Sequence, residues 1–123
     1  MNWFKRDIGK AGENAACEYL KRQGFRILAR NYTCPFGEID IICHHDACIV
    51  FVEVKTLSDD TNAAPEDNIT FAKQRQVQRV ARAWLAEQRE PECAYRFDAV
   101  AVVLQPKGKP EVRHIIEAFL PSR

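Results

Sequence analysis

Residues 38–55 read Glu38-Ile39-Asp40-Ile41-Ile42-Cys43-His44-His45-Asp46-Ala47-Cys48-Ile49-Val50-Phe51-Val52-Glu53-Val54-Lys55. From Ile49 the run is β-branched and almost wholly apolar until it meets Glu53 and Lys55, the pattern of a strand buried on both faces. A strand is therefore predicted over Cys48–Thr56, preceded by another over Glu38–Cys43, with Asp46-Ala47 at the tip between them. Side chains alternate along a strand, so Glu38 shares a face with Asp40, and Glu53 with Lys55. Asp40 lies seven residues before Ala47 and Glu53 seven after Asp46, which makes them near cross-strand partners if the two strands form a hairpin.

Two carboxylates that face each other repel, and burying them unpaired is costly. A cation has to compensate. Lys55 is one candidate; a hard divalent ion such as Mg²⁺, which favours carboxylate oxygens and retained waters, is the other. Two acids holding a metal beside a lysine suit phosphodiester hydrolysis. The metal neutralises phosphate charge and lowers the pKa of bound water, while the lysine orients that water or stabilises the transition state. The alternative is a structural salt bridge at the end of a sheet. The same stretch carries Cys43, His44, His45 and Cys48, all zinc-ligand types. Structural zinc sites usually draw on two separated ligand pairs, and with no second pair in sight the hairpin tip is the expected reading.

Outward from this hairpin, residues 8–23 read as a helix with Ile8, Ala15, Ala16, Tyr19 and Leu20 at helical spacing, Asp7 as its cap and Gly24 as its stop. Gly9 and Gly12 weaken its first turn, which implies close packing or a later start. A somewhat irregular strand is expected over Phe25–Tyr32, then a turn or bulge at Pro35-Phe36-Gly37. Beyond the hairpin, Ser58–Asn68 is a polar loop expected to be mobile. Thr70 caps a second helix running to about Arg89, with Val77, Val80, Ala81, Trp84 and Leu85 as its apolar stripe, and Pro91 breaks the pattern. Strands follow at Arg96–Leu104 and Val112–Ile116, and Ala118-Phe119-Leu120 packs nearby. The order is α-β-β-β-α-β-β, an α/β fold with a mixed central sheet flanked by helices.

The 123 residues suit a single domain, and 46% hydrophobic with 28% charged residues is a globular composition. No stretch approaches a membrane span, and no apolar run follows the charges at the N-terminus, so a cytoplasmic protein without membrane partners is expected. Five cysteines, an odd number without a targeting segment, do not suggest a disulfide framework. The net charge of +1 is unevenly spread. Residues 1–31 carry seven Lys/Arg against three Asp/Glu, residues 32–68 one against eight, and residues 69–89 five against one. An acidic centre thus lies between two basic segments. Either these are ordinary solvated helices, or the acids gather a metal while the helices meet phosphates.

Asp40, twelve intervening residues and then Glu53-Val54-Lys55 resembles the PD-(D/E)XK nuclease pattern, as does the element order; Ile39 stands where that pattern has proline. A closer resemblance, to the YraN-type family of uncharacterised bacterial proteins, covers nearly the whole chain. It is carried by Gly12-Glu13 with Ala16 and Tyr19-Leu20, Gly24-Phe25, Ile27-Leu28, Arg30-Asn31-Tyr32 and Gly37-Glu38-Ile39-Asp40-Ile41-Ile42. Val50-Phe51-Val52-Glu53-Val54-Lys55, Ile69-Thr70 with Lys73, Arg96-Phe97-Asp98, and His114 with Ala118-Phe119 continue it. The resemblance implies a restriction-endonuclease-like core of the Holliday-junction-resolvase type, one nuclease-like domain over residues 1–123, and a Mg²⁺- or Mn²⁺-dependent DNA endonuclease.

On that resemblance Asp40 and Glu53 bind metal, Lys55 assists the attacking water, and Glu13 matches an acid that reaches the metal in resolvase-like members. Read from the residues alone, Glu13 is as well an exposed helix residue. Glu38 is expected beside the metal ligands as a supporting partner. Lys73 opens the second helix, where the dipole favours anions, so a cation there points to a phosphate nearby. Lys73, Arg75, Arg79 and Arg82 are the expected DNA contacts, which position a backbone but do not specify its sequence. Selectivity would then be for DNA shape, such as a branch or flap, and a homodimer would allow two strands to be cut symmetrically. Leu57 stands where the family often has a basic residue, making this site less cationic. Asp98 is expected to be structural, paired with a basic residue of the first helix, and His114 to be structural; Trp3 and Phe4 either stack on bases or, the favoured reading, cover the core. The rival readings are a non-catalytic nucleic-acid-binding module that keeps the fold, and a structural interaction protein. Retention of Asp40, Glu53 and Lys55 together counts against both, since an inactive site has no physical reason to keep a costly cluster of charges.

Overall fold

A computed structural model describes residues 3–58, 69–89 and 93–121. The elements run α1 (Trp3–Arg22), β1 (Arg26–Cys34), β2 (Gly37–His45), β3 (Cys48–Ser58), α2 (Phe71–Ala86), β4 (Ala94–Leu104) and β5 (Glu111–Phe119). The order is the one expected from the sequence. The five strands form one sheet in the order β1-β2-β3-β4-β5, with β3 and β4 parallel and every other pair antiparallel. A parallel pair needs a crossover, and α2 supplies it. The polar loop expected before α2, the break at Pro91 and the side chains of Trp3 and Phe4 lie outside the described residues.

The strand predicted to be buried on both faces is the middle of the sheet. Ile49 and Phe51 pack with Ile42, Phe97 and the α2 residues Val77, Val80, Ala81, Trp84 and Leu85. Val50 and Val52 pack on the other side with Ile41, Cys43, Val100, Val102 and the α1 residues Ala16, Cys17 and Leu20. The sheet therefore lies between two helices. Among the described residues, no helix is long and apolar enough to cross a membrane. All five cysteines are free, and Cys43 is buried with its thiol pushed up to about 12 by burial.

Several boundaries differ from expectation. α1 starts at Trp3, so Asp7 lies inside the helix and is not its cap. β5 extends through Phe119 because its irregularity is absorbed locally. Glu117 adopts φ 53° and turns its N–H to Asp98 Oδ1 at 3.0 Å, after which Phe119 rejoins the ladder opposite Phe97. Asp98 does not pair with α1. It is fully buried, bound by Arg96 of its own strand at 3.0 and 3.2 Å and by His114 of β5 at 2.7 Å. These bonds hold its carboxyl below the usual range despite the opposing effect of burial. His114 is thus structural as expected, and its ring also meets Tyr19 and Phe25 edge-on.

Strict alternation fails at two places in β1: a bulge sends Ile27 and Ala29 to opposite sides of the sheet, and a second reversal follows Arg30. Arg30 reaches Glu13 and Asn14 on α1, yet Tyr32, two residues on, reaches Glu87 beside α2. Between them Asn31 takes φ 51°, which turns the strand over. The neighbouring strand follows, since Ile41 packs with α1 and Ile39 with α2. Asparagine is among the few non-glycine residues that tolerate this conformation.

Of the two glycines that weaken α1, Gly12 is there for close packing. A methyl group at this position would overlap the Thr56 side chain on β3. Gly12→Ala is therefore expected to destabilise the protein. Overpacking costs about 1–3 kcal/mol and outweighs the roughly 1 kcal/mol of helix propensity gained. Thr56→Ala in the same chain should recover most of the loss, which urea denaturation of the two single variants and the double would measure. Additive effects would show that the contact does not limit the packing.

Candidate metal centre

The hairpin register decides what meets at the site. β2 and β3 pair His45 with Cys48, His44 with Ile49, and so on to Ile41 with Val52. The tip residues Asp46 and Ala47 both take positive φ, 49° and 62°, the two-residue turn whose twist matches the flanking strands. The ladder ends at Ile41–Val52, and Asp40 and Glu53 lie just beyond it. There the Asp40 carboxylate takes over from the main chain, with Oδ2 accepting the Val54 N–H at 2.8 Å. The two acids do come together, though not as a ladder pair.

They lie in a cavity of about 280 Å³ lined by Asp40, Glu53, Val54, Lys55, Ile69, Lys73 and Ala99. Ala99 is contributed by β4, where it pairs with Glu53 in the parallel register. Ile69 and Lys73 come from the start of α2, whose first turn is fixed by Thr70 accepting the Lys73 N–H at 3.1 Å. A larger recess of about 910 Å³ at the other end of α2 is lined by Arg26, His44, Trp84 and Arg89 among others. Its carboxylate, Glu87, is already bonded to Tyr32, and among the described residues no second acid lines it.

The electrostatics of the cavity are those of a site short of positive charge. Burial first, and then the Asp40 charge, push the Glu53 carboxyl up to about 8, against the pull of Lys73. Asp40 is raised too, chiefly by burial, with the Val54 N–H opposing. Lys73 Nζ lies 3.6 Å from Glu53 Oε2, a partial compensation. Glu53 Oε1 is buried and has no hydrogen-bond partner. A buried carboxylate oxygen without a partner, facing a second carboxylate, fits a hard divalent cation. Among the described residues no three His, Cys, Asp or Glu side chains are grouped so as to hold an ion by themselves. Mg²⁺ does not require such a cage, because it commonly takes one or two carboxylates and completes its shell with water and phosphate oxygens.

The remaining sequence candidates fall in three places. Lys55 is exposed at the rim of the cavity. Glu38 is exposed on β2 and close enough to raise both acids. Glu13 does not line the cavity. Its Oε1 accepts from Arg30 Nε at 3.0 Å and Asn31 Nδ2 at 2.9 Å, although its charge is felt at Asp40. Arg75, Arg79 and Arg82 are exposed along α2, on the side away from Lys73. Sequence reasoning passed over Asn31, which both turns β1 and ties down Glu13. The signal was available: a polar residue that tolerates positive φ, in the middle of a strand.

A family model described as "Uncharacterised protein family UPF0102" matches residues 12–102. A UPF0102 protein of Trichlorobacter lovleyi is 42% identical over 113 residues, covering 91% of this chain and 89% of the relative. One of Caldicellulosiruptor saccharolyticus is 44% identical over 105 residues, covering 85% and 89%. One of Geobacter metallireducens is 39% identical over 119 residues, covering 97% of both.

The raised carboxyl of Glu53 has a consequence for stability. In the unfolded chain it titrates near 4.5 and in the folded protein near 8, so between those values the folded state binds more protons. Metal-free protein should thus lose stability as pH rises from about 4.5 to about 8, by up to roughly 1.4 kcal/mol per pH unit. Asp40 acts in the same direction. Urea midpoints in EDTA at several pH values should show Glu53→Gln to be the more stable at pH 8 and to lack most of this slope. A gap between the two proteins that does not change with pH would contradict the assignment.

Proposed function

Because the chain belongs to the uncharacterised protein family UPF0102, the YraN-type family, its function has to be read from its site, and we propose a divalent-metal-dependent DNA endonuclease with a restriction-endonuclease-like core. The observation that carries this reading is the buried pair Asp40–Glu53, with Glu53 Oε1 unpartnered in a cavity rimmed by Lys55 and Lys73. In this reading Asp40 and Glu53 hold Mg²⁺ or Mn²⁺. The ion supplies neutralisation of the phosphodiester and acidification of a water.

The protein's own groups do the rest. The Val54 N–H fixes the Asp40 carboxylate, leaving its other oxygen for the ion. Lys73 holds Glu53 from the α2 side. Lys55 at the rim orients the attacking water and meets the charge that develops on the phosphoryl oxygens. Arg75, Arg79 and Arg82 engage the DNA backbone, which supports selection by DNA shape, including branches and flaps, rather than by sequence. A homodimer would present two such sites to two strands.

Calorimetry with Mn²⁺ or Mg²⁺ tests the site without a guess at the substrate. Asp40→Asn and Glu53→Gln, each confirmed folded by circular dichroism, are expected to weaken binding at least tenfold. Lys55→Gln is expected to keep the metal and lower hydrolysis of branched, flapped or single-stranded DNA by about 10²-fold or more. No binding at millimolar metal, with or without DNA, would overturn the reading. Salt-sensitive DNA binding without hydrolysis under any metal would point to a non-catalytic nucleic-acid-binding module instead.

A further inference from the structure

α2 carries Lys73, Arg75, Arg79 and Arg82 and no acid between Phe71 and Ala86. At 3.6 residues per turn, Phe71, Arg75, Arg79 and Arg82 lie along one exposed ridge, while Lys73 points roughly the opposite way, into the cavity. Two exposed aromatic rings accompany the arginines, one on the ridge and one beside it. Phe71 is 79% exposed, the most exposed of the large apolar side chains among the described residues. It stands in the first helical position, directly after the Thr70 cap. Phe36 is 47% exposed in the turn between β1 and β2. The Arg79 guanidinium lies over its ring, 4.8 Å from the centroid.

That turn is seated on the helix. Gly37 takes φ 141°, and the Gln76 side chain packs where its Cβ would be. Phe36 is thus presented by a backbone docked on α2. Single exposed apolar residues are ordinary. Two exposed rings, one fully open and one carrying Arg79 on a face, beside an acid-free row of arginines are a combination suited to single-stranded nucleic acid, with phosphates on the cations and bases stacked on the rings.

We propose that Phe36 and Phe71, with Arg75, Arg79 and Arg82 on the same face of α2, form a stacking platform for unpaired nucleotides, so that the substrate class is DNA with a single-stranded segment. The proposal rests on the reading of the Asp40–Glu53 cavity as a phosphodiesterase site and names what enters it. The path from ridge to cavity supports it. A strand lying on the ridge has to bend round the N-terminus of α2 to reach Glu53, within a helix diameter of about 10 Å. Duplex DNA, with a persistence length of about 150 bp, does not make that bend. A single strand does.

The test is equilibrium binding in EDTA, where nothing is cleaved, of a fluorescein-labelled 20-nucleotide oligothymidylate and of a matched duplex. The wild type should prefer the single strand. Phe36→Ala and Phe71→Ala should each weaken single-strand binding about tenfold, the order expected for loss of one base–ring stack, and leave duplex binding unchanged. Phe→Leu should behave as Phe→Ala at both positions, whereas Phe→Trp should restore binding, a pattern that a role in folding would not give. Arg75→Gln, Arg79→Gln and Arg82→Gln together should flatten the salt dependence. Equal affinity for duplex, or leucine serving as well as phenylalanine, would overturn the platform. Metal binding at Asp40 and Glu53 would be unaffected by that outcome. A confirmed platform on a protein that hydrolyses no DNA under any metal would overturn the endonuclease reading and leave the binding surface standing.

Discussion

The register of the β2–β3 hairpin is the constraint on which the rest of the structure depends. Asp46 and Ala47 close it with two residues at positive φ, and from there each pair follows without a slip to Ile41–Val52. A shift of one residue would exchange the faces of β3, putting Phe51 where Val52 is and Glu53 into the α1 core. Since β3 is paired on both edges and covered on both faces, no neighbouring element can absorb such a shift. The register therefore fixes the core, and just past its last pair Asp40 and Glu53 meet in one cavity. The raised carboxyl of Glu53 is the electrostatic consequence of its burial there and of the Asp40 charge beside it.

The helices respond to this centre differently. α2 is the crossover between the parallel strands β3 and β4, so its start lies over the acids and delivers Lys73 to Glu53. α1 approaches β3 closely because Gly12 has no side chain to hold it off Thr56. It brings Glu13 near Asp40, but Arg30 and Asn31 take up the Glu13 carboxylate. That arrangement depends on the reversal of β1 at Asn31. Without it, Arg30 and Tyr32 would share a face, and Glu13 and Glu87 could not both be satisfied from one strand.

These relations explain which parts were legible in the sequence. The element order, the central buried strand, the Thr70 cap and the meeting of Asp40 and Glu53 near the end of the hairpin ladder all follow from periodicity and local counting, which the chain encodes over short distances. The orientation of the arginines also follows once the helix is known, but a count of charge over residues 69–89 merges Lys73 with Arg75, Arg79 and Arg82, although the structure separates them by half a turn of α2. The partners of Asp98 were not legible. Its bonds to His114 and to the Glu117 N–H span 16 and 19 residues and depend on a bulge in β5 that no local pattern announces. The reversal at Asn31 was missed for a similar reason. Alternation is an average rule for strands, and one residue at positive φ suspends it.

The two lysines at the cavity are not equivalent, and their difference bears on how the proposed site works. Lys73 is held in the first turn of a capped helix and already faces Glu53 at 3.6 Å. Its charge is engaged in making the acid pair tolerable. Lys55 shares a strand with Glu53 but is exposed and forms no ion pair with another described residue, so its ammonium is available to an incoming phosphate. Leu57, two residues further along β3, adds no charge that would compete for the same anion. On the endonuclease reading, the division follows directly. The lysine that is paired before substrate arrives can only hold the ground state together, whereas the unpaired one interacts most strongly when negative charge grows at the phosphorus. Catalysis requires that difference between ground and transition state, and it falls to Lys55.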